Sequence, residues 1–104
     1  MALSKLEKPT PISLTTIAAA EIRNILQVKG IPADYFLRVG TSGGGCAGVS
    51  YIIGFDKQGL TDEVYSIEGI KVLIDKKHAL FLWGLEVDFI EGVERGFIFN
   101  ANKP

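Results

Sequence analysis

The one cysteine of this 104-residue sequence, Cys46, lies in the glycine-rich segment Thr41-Ser42-Gly43-Gly44-Gly45-Cys46-Ala47-Gly48. Glycine has no Cβ, so the backbone around the thiol can take positive φ values and other groups can approach the sulfur closely. Backbone N–H groups in such a loop can point at the sulfur, or at sulfide bound to it, and stabilise negative charge. The segment therefore indicates a thiol that binds a metal or cluster, or one that attacks a substrate.

A structural role is the competing interpretation of Cys46. Free cysteines are often small buried core residues, and glycine clusters often only mark a turn. However, four of the six other residues between Ser42 and Gly48 are glycine, which leaves little side-chain surface to bury a thiol. This composition favours a functional thiol.

Enzymatic chemistry at Cys46 finds little support in the rest of the sequence. A cysteine nucleophile needs a base, most often histidine. The only histidine is His78, beside two lysines, where a solvated or half-buried surface residue is the simpler interpretation. One cysteine and one histidine would leave the other ligands of a zinc site to scattered carboxylates. The lysine and Ser/Thr that end a P-loop are missing. We expect no enzyme, and a Cys46–His78 dyad stays a minor hypothesis.

The overall composition is that of an ordinary globular protein, with 47% hydrophobic residues, 22% charged residues and a net charge of −1. Lysines and arginines are spread along the chain, so we expect no nucleic-acid partner. No apolar stretch approaches the ~20 residues of a membrane span. Met1 to Thr10 lacks the apolar core of a signal peptide, so we expect a cytoplasmic protein that does not enter a membrane.

Hydrophobic periodicity predicts an α+β fold that is mostly β. Residues 1–11 are expected to form a flexible N-terminal segment, and residues 12–104 a single domain. Ile12-Ser13-Leu14 alternates as a short strand does. A helix is predicted from about Thr16 to Lys29, because Thr15 or Thr16 can cap its start and Gly30 can end it.

After this helix the period changes to two, which predicts strands that contain residues 35–39 and 49–55, joined through the loop that holds Cys46. Glu68-Gly69 is predicted as the turn of a tight hairpin, and Asp75 as the cap of a brief helix. The further predicted elements are strands over Glu63–Ile67, Ile70–Ile74, Leu85–Glu91 and Gly96–Asn100, and the brief helix from Lys76 to about Trp83. Because helices and strands do not alternate regularly, mainly antiparallel strands are expected.

The order of these pieces resembles the A-type iron–sulfur carriers, the HesB/IscA-like family. Leu37-Arg38-Val39-Gly40, followed by Gly44-Gly45-Cys46-Ala47-Gly48, is similar to the family's L-R-V segment leading into G-G-C-S-G. Gly96-Phe97-Ile98-Phe99 is similar to the G-F-x-F that opens its end segment. The resemblance starts at Ile12 and runs through nearly the whole chain. It implies a HesB-like compact fold with one long N-terminal helix and one short helix.

The resemblance also implies a role in iron–sulfur cluster assembly, with assembly or recipient proteins as partners. It assigns Cys46 as a metal and cluster ligand, with Gly44, Gly45 and Gly48 as cofactor-binding residues beside it. The family uses two further cysteines, a C-x-C pair in a C-terminal tail, and this sequence stops at Pro104 without them. Clusters usually need four thiolates. We therefore expect iron or a [2Fe–2S] cluster to be bound weakly, at the interface of a homodimer or with a partner's help, if at all.

A non-metal protein-interaction module on the same fold is the alternative hypothesis. Such a module would bind its partner through exposed aromatic or apolar side chains. Five aromatic residues are predicted to be mainly core: Phe81, Trp83, Phe89, Phe97 and Phe99. Six carboxylates are predicted to lie on a solvated face: Asp62, Glu63, Glu86, Asp88, Glu91 and Glu94.

Overall fold

The computed structural model describes residues 9–43 and 49–101 of the chain. In chain order the elements are β1 (Ile12–Leu14), α1 (Thr16–Val28), β2 (Tyr35–Gly43), β3 (Val49–Lys57), β4 (Asp62–Ile67), β5 (Ile70–Asp75), a 3₁₀ turn (Lys76–His78), α2 (Ala79–Leu82), β6 (Leu85–Ile90) and β7 (Gly96–Ala101). The predicted α+β, mostly-β class is confirmed. Within the described residues, no helix is both long enough and apolar enough to cross a membrane.

Within the described residues the strands form two sheets, one in the order β1–β6–β7 and the other in the order β3–β2–β5–β4. Of the five pairings among these strands, three are antiparallel, as expected from the sequence: β2–β3, β4–β5 and β6–β7. The β1–β6 and β2–β5 pairings are parallel and were not predicted. In both, long stretches of chain separate the partner strands, which gives room for the crossover that a parallel pair requires.

Helix α1 begins at a side-chain cap, as predicted. Thr15 is the cap residue: its Oγ1 accepts the Ala18 N–H at 3.0 Å and donates its own hydrogen to Asp88 Oδ1 at 2.7 Å. The helix ends at Val28, and Gly30 follows with a φ of +62°, a conformation that glycine takes without strain. The Thr15–Asp88 bond fixes the start of α1 to β6.

One hydrophobic core joins α1 to both sheets. Helix α1 contributes Ala18, Ala19 and Ile22, whose short or slim side chains let it lie close against β1 and β6. The buried cluster is made of apolar side chains from both sheets, α1 and α2: Ile12, Leu14, Ala18, Ala19, Ile22, Leu37, Val39, Ile67, Ile70, Val72, Ile74, Leu82, Leu85, Val87 and Phe89. The sheets therefore pack as one unit.

The predicted β4–β5 hairpin is confirmed with the predicted turn. Glu68 and Gly69 both have positive φ, at 53° and 77°, as the tight turns that suit the twist of a hairpin require. Glu68 is not glycine, and its carbonyl accepts a bond of 2.8 Å from Arg23 Nη1 on α1. This bond ties the turn to the helix.

The segment after β5 differs from the single brief helix that was predicted. It starts as a 3₁₀ turn and continues as one turn of α-helix before Gly84, which has a φ of 86°. Asp75 caps it as expected, because its Oδ1 accepts the Lys77 N–H at 3.1 Å. That bond holds the pKa of the Asp75 carboxyl below its ordinary value.

Asp62 is buried, which corrects its predicted place on a solvated face. Arg38 donates to both of its oxygens, from Nη1 at 2.7 Å and from Nη2 at 2.6 Å, and the Gly59 N–H adds a bond of 2.6 Å. Arg38 also donates to Asp56 Oδ2 at 2.9 Å and to the Lys57 carbonyl at 3.2 Å. The bonds from Arg38 lower the pKa of Asp62, against the opposing effect of burial. This pair ties β2 to the start of β4.

The five aromatic side chains predicted as core divide into two groups. Phe89 is buried, and Phe97 and Phe99 pack against the core as predicted. Phe81 and Trp83 are 58% and 61% exposed, so their assignment to the core was wrong. Both flank Leu82, which takes the inward position of α2 and is fully buried.

Candidate functional site

Strands β2 and β3 position the glycine-rich connection. Each residue of β2 pairs with one of β3, and the last pair joins Gly43 to Val49. The predicted site residues lie between the two members of that pair in sequence and are outside the described residues: Gly44, Gly45, Cys46 and Gly48. Their assignment to metal and cofactor binding stays a prediction. The structure describes the end of β2 before them and the start of β3 after them.

His78, the only histidine of the sequence, contacts β2 close to this end. His78 Nδ1 accepts the Thr41 N–H at 3.5 Å, a long and therefore weak hydrogen bond. Strand β5 pairs with β2 only at Leu37 and Arg38, so further along β2 a side chain supplies the acceptor. His78 thus supports the last part of β2 before the connection to Cys46.

Gly40 allows this close approach. A Cβ at position 40 would lie 2.9 Å from His78 Nδ1 and 3.5 Å from Ile52 Cδ1. The first distance is shorter than real Cβ contacts, so a side chain at this position would have to displace the ring. Sequence pattern does not connect His78 with β2, because His78 and Thr41 are 37 positions apart in the chain.

The contact with the Thr41 N–H gives His78 Nδ1 a structural partner on β2. It favours a supporting role for His78, and the Cys46–His78 dyad stays a prediction because Cys46 lies outside the described residues.

Gly40→Ala tests this contact. We expect the added methyl group to lower the free energy of unfolding by about 1–3 kcal/mol, because it overpacks the site against the ring. His78→Ala in the same chain should recover part of that loss, so that the two changes are non-additive. Urea denaturation of the two single variants and the double variant measures the coupling, and simple additivity would contradict the contact.

An aromatic contact between β3 and β7 joins the two sheets. The rings of Tyr51 on β3 and Phe99 on β7 lie 5.4 Å apart between centroids. Tyr51 pairs with Thr41 in the β2–β3 ladder, two positions from the final pair. Strand β7 is thereby held beside the part of β3 that follows the glycine-rich connection.

Metal-binding side chains do not gather elsewhere in the described part of the chain. Over residues 9–43 and 49–101, no group of three or more histidine, cysteine, aspartate or glutamate side chains could hold a metal ion. Two carboxylates close to these strands, Asp56 on β3 and Asp62 at the start of β4, are both bonded to Arg38. Cys46 therefore stays the candidate ligand.

Comparison with known proteins gives this arrangement its context. The model of the family described as "Iron-sulphur cluster biosynthesis" matches residues 10–103. The iron-sulfur cluster insertion protein ErpA of Hydrogenovibrio crunogenus is 36% identical over 99 residues, covering 94% of this chain and 86% of that protein. The iron-binding protein IscA of Proteus mirabilis is 41% identical over 91 residues, covering 86% of this chain and 83% of that protein.

The fold is also similar to that of a solved structure. The crystal structure of Escherichia coli SufA, involved in biosynthesis of iron-sulfur clusters, matches with a TM-score of 0.71 and 30% sequence identity. The match covers 86% of this chain and 79% of SufA. Sequence and fold agree over most of the chain, and this protein belongs to the iron-sulphur cluster biosynthesis family, as its resemblance to the A-type iron–sulfur carriers predicted.

Proposed function

We propose that this protein is an accessory or carrier-like protein of iron–sulfur cluster assembly that binds iron or a [2Fe–2S] cluster through Cys46. The match of the family model over residues 10–103 carries the proposal, because it includes the glycine-rich connection. The names of the relatives, a cluster insertion protein and an iron-binding protein, describe the same class of activity. Gly44, Gly45 and Gly48 would leave backbone N–H groups free to face the cluster.

The number of thiolates that the protein supplies determines how strongly it can bind a cluster. Iron–sulfur clusters are usually held by four thiolates, and these 104 residues contain one cysteine. Two chains in a homodimer would supply two thiolates, and the remaining ligands would come from small-molecule thiols or from a partner protein. A cluster held in this way is bound weakly and is easily passed on.

A carrier needs no catalytic base. We propose a non-enzymatic protein that works in the cytoplasm without nucleic acid or a membrane. Its partners would be proteins that build clusters and apoproteins that receive them. The cluster is cargo in this role rather than a resident cofactor.

Anaerobic reconstitution with iron and sulfide tests the proposal. We expect weak charge-transfer absorbance from the wild-type protein and none from Cys46→Ala, because Cys46 is the one thiolate ligand that the sequence offers. Absorbance spectra together with iron and sulfide analysis provide the measurement. A stoichiometric cluster that survives gel filtration and persists in Cys46→Ser would contradict the ligand assignment.

The non-metal interaction module stays the second candidate, because Phe81 and Trp83 are exposed. If this were the whole function, Cys46→Ala would leave partner binding intact and reconstitution would give no cluster under any condition. Substitution of an exposed aromatic residue would then abolish partner binding.

A further inference from the structure

The end of β2 and the start of β3 are paired with each other alone. Strand β5 pairs with β2 at Leu37 and Arg38. From residue 39 to residue 43, β2 pairs with residues 49–53 of β3 and with no other strand in the part of the chain that the structure describes. Strand β3 is itself the edge of this sheet. These two segments, here called the β2–β3 arm, therefore form a two-stranded ribbon, and the connection that contains Cys46 joins their ends.

A two-stranded ribbon has little stability of its own. In water such a hairpin is marginal unless other elements pack against it. Val39 at the base of the arm is fully buried, whereas Ser42 near the end of β2 is exposed. The position of the far end therefore depends on side chains that reach the arm from other elements. The ring contact between Tyr51 and Phe99 of β7 is one such contact.

His78 provides another contact, on the β2 half of the arm. Its ring lies so close to Gly40 that a Cβ there would be 2.9 Å from Nδ1, and Nδ1 accepts the Thr41 N–H at 3.5 Å. A strand residue advances about 3.3 Å, so this bond lies about 7 Å along the strand from Gly43, where β2 ends. The segment that carries His78 is fixed in turn by Leu82, which is fully buried.

The Thr41 bond is long, so its effect is expected to be local. Loss of one weak hydrogen bond increases the opening of the backbone that it holds by a few fold, without unfolding the protein. Such opening affects binding, because a site whose backbone is already ordered loses less entropy when it takes up a ligand. Support at the end of β2 therefore favours retention of what binds in the connection that follows.

We propose that His78 is a positioning residue for Cys46. Its contacts with Gly40 and Thr41 hold the end of β2, from which the cysteine-bearing connection starts, and so slow the loss of a bound [2Fe–2S] cluster. This inference rests on the proposed function, since it concerns how firmly that site holds its cargo. In this role His78 neither binds the metal nor takes a proton from the thiol.

Two variants of similar shape separate the hydrogen bond from the space that the ring fills. His78→Asn keeps an acceptor oxygen as far along the side chain as Nδ1, whereas His78→Leu has no acceptor. In the cluster-free protein, the Thr41 amide should exchange with deuterium about fivefold faster in His78→Leu than in the wild type, and His78→Asn should stay within about twofold of the wild type. The Leu37 amide, on the part of β2 that pairs with β5, is the internal control and should not change.

The rate of cluster loss provides the functional readout. Proteins reconstituted with glutathione are mixed with an iron chelator, and the decay of the charge-transfer absorbance is followed. We expect loss about threefold faster from His78→Leu than from the wild type, and His78→Asn should restore the wild-type rate. Thr15→Ala is the control for a general loss of stability, because it removes the side-chain cap of α1. It should leave the rate of cluster loss unchanged.

Three results would overturn the inference: equal Thr41 exchange in His78→Leu and His78→Asn, loss of the cluster from His78→Leu at the wild-type rate, or equally fast loss from Thr15→Ala. Gly40→Ala displaces the ring by another route and should accelerate both processes as His78→Leu does. If the wild-type protein takes up no cluster, the proposed function fails and this inference fails with it. If the cluster binds and every variant loses it at one rate, only the positioning role fails.

Discussion

Asp62→Ala is expected to lower the free energy of unfolding by about 3 kcal/mol, because it removes one member of a buried ion pair and leaves the other without its partner. The Asp62 side chain is 2% exposed and binds Arg38 through two hydrogen bonds and Gly59 through a third. Arg38 would keep Asp56, whose side chain is 56% exposed and compensates only in part. The midpoint of urea denaturation should fall while its slope stays constant.

Asp34→Ala is the matched control for that variant. Asp34 lies 3.6 Å from Lys57, and both side chains are more than 60% exposed. Exposed pairs of this kind contribute roughly 0–1 kcal/mol, so the control should remain close to the wild-type protein. Equal losses of unfolding free energy in Asp34→Ala and Asp62→Ala would contradict the larger contribution expected of the buried Arg38–Asp62 pair.

The pH dependence of unfolding provides a second readout on Asp62→Ala. Hydrogen bonds from Arg38 lower the pKa of Asp62 in the folded protein below its value of about 3.9 in the unfolded chain. The resulting stabilisation is fully present above the unfolded pKa and is lost as the pH falls through the folded one. The wild-type protein should therefore lose its advantage over Asp62→Ala below about pH 4.

Local pattern was sufficient to find the elements of this fold. Period-two alternation predicted β2 and β3, and the Thr15 cap and Gly30 stop bounded α1 to within a residue. It did not predict the burial of Asp62, because alternation places a side chain on a face without saying what covers that face. Here Arg38 covers it, from a strand 24 positions earlier in the chain.

Local pattern did not predict which distant strands pair, nor which face of the short helix α2 is buried. The parallel β1–β6 and β2–β5 pairings depend on which distant strands meet, and periodicity within a strand carries no such information. Helix α2 has four residues, about one turn, so no repeat exists from which to assign its buried face. Residue type alone put Phe81 and Trp83 in the core, whereas the backbone turned Leu82 inward.

The candidate site was predictable only where its residues are neighbours in sequence. Cys46 was singled out by the glycines around it, and the family model covers the same segment. The support of β2 by His78 was not predictable, because it depends on the point at which β5 stops pairing with β2. A lone histidine carries no signal of the strand it will contact.

Cluster occupancy is expected to depend on an added small-molecule thiol. In the proposed homodimer, two copies of Cys46 would supply half of the usual four thiolates, and two molecules of a monothiol such as glutathione could supply the rest. Reconstitution with glutathione should give roughly tenfold more charge-transfer absorbance than reconstitution without it, because the added thiol completes the set of four thiolates. Analysis should approach one [2Fe–2S] cluster for each pair of chains.

The ligand count is then tested by removing each source of thiolate in turn. Gel filtration into thiol-free buffer should strip the cluster from the wild-type protein, because the exchangeable ligands are diluted away. Cys46→Ala should stay near background at every glutathione concentration, since added thiol cannot replace the ligand that attaches the cluster to the chain. A full cluster without any added thiol would mean that oxygen or nitrogen ligands of the protein complete the site. Absence of a cluster in the wild-type protein even with glutathione would leave a partner protein as the remaining source of ligands, or remove the carrier role.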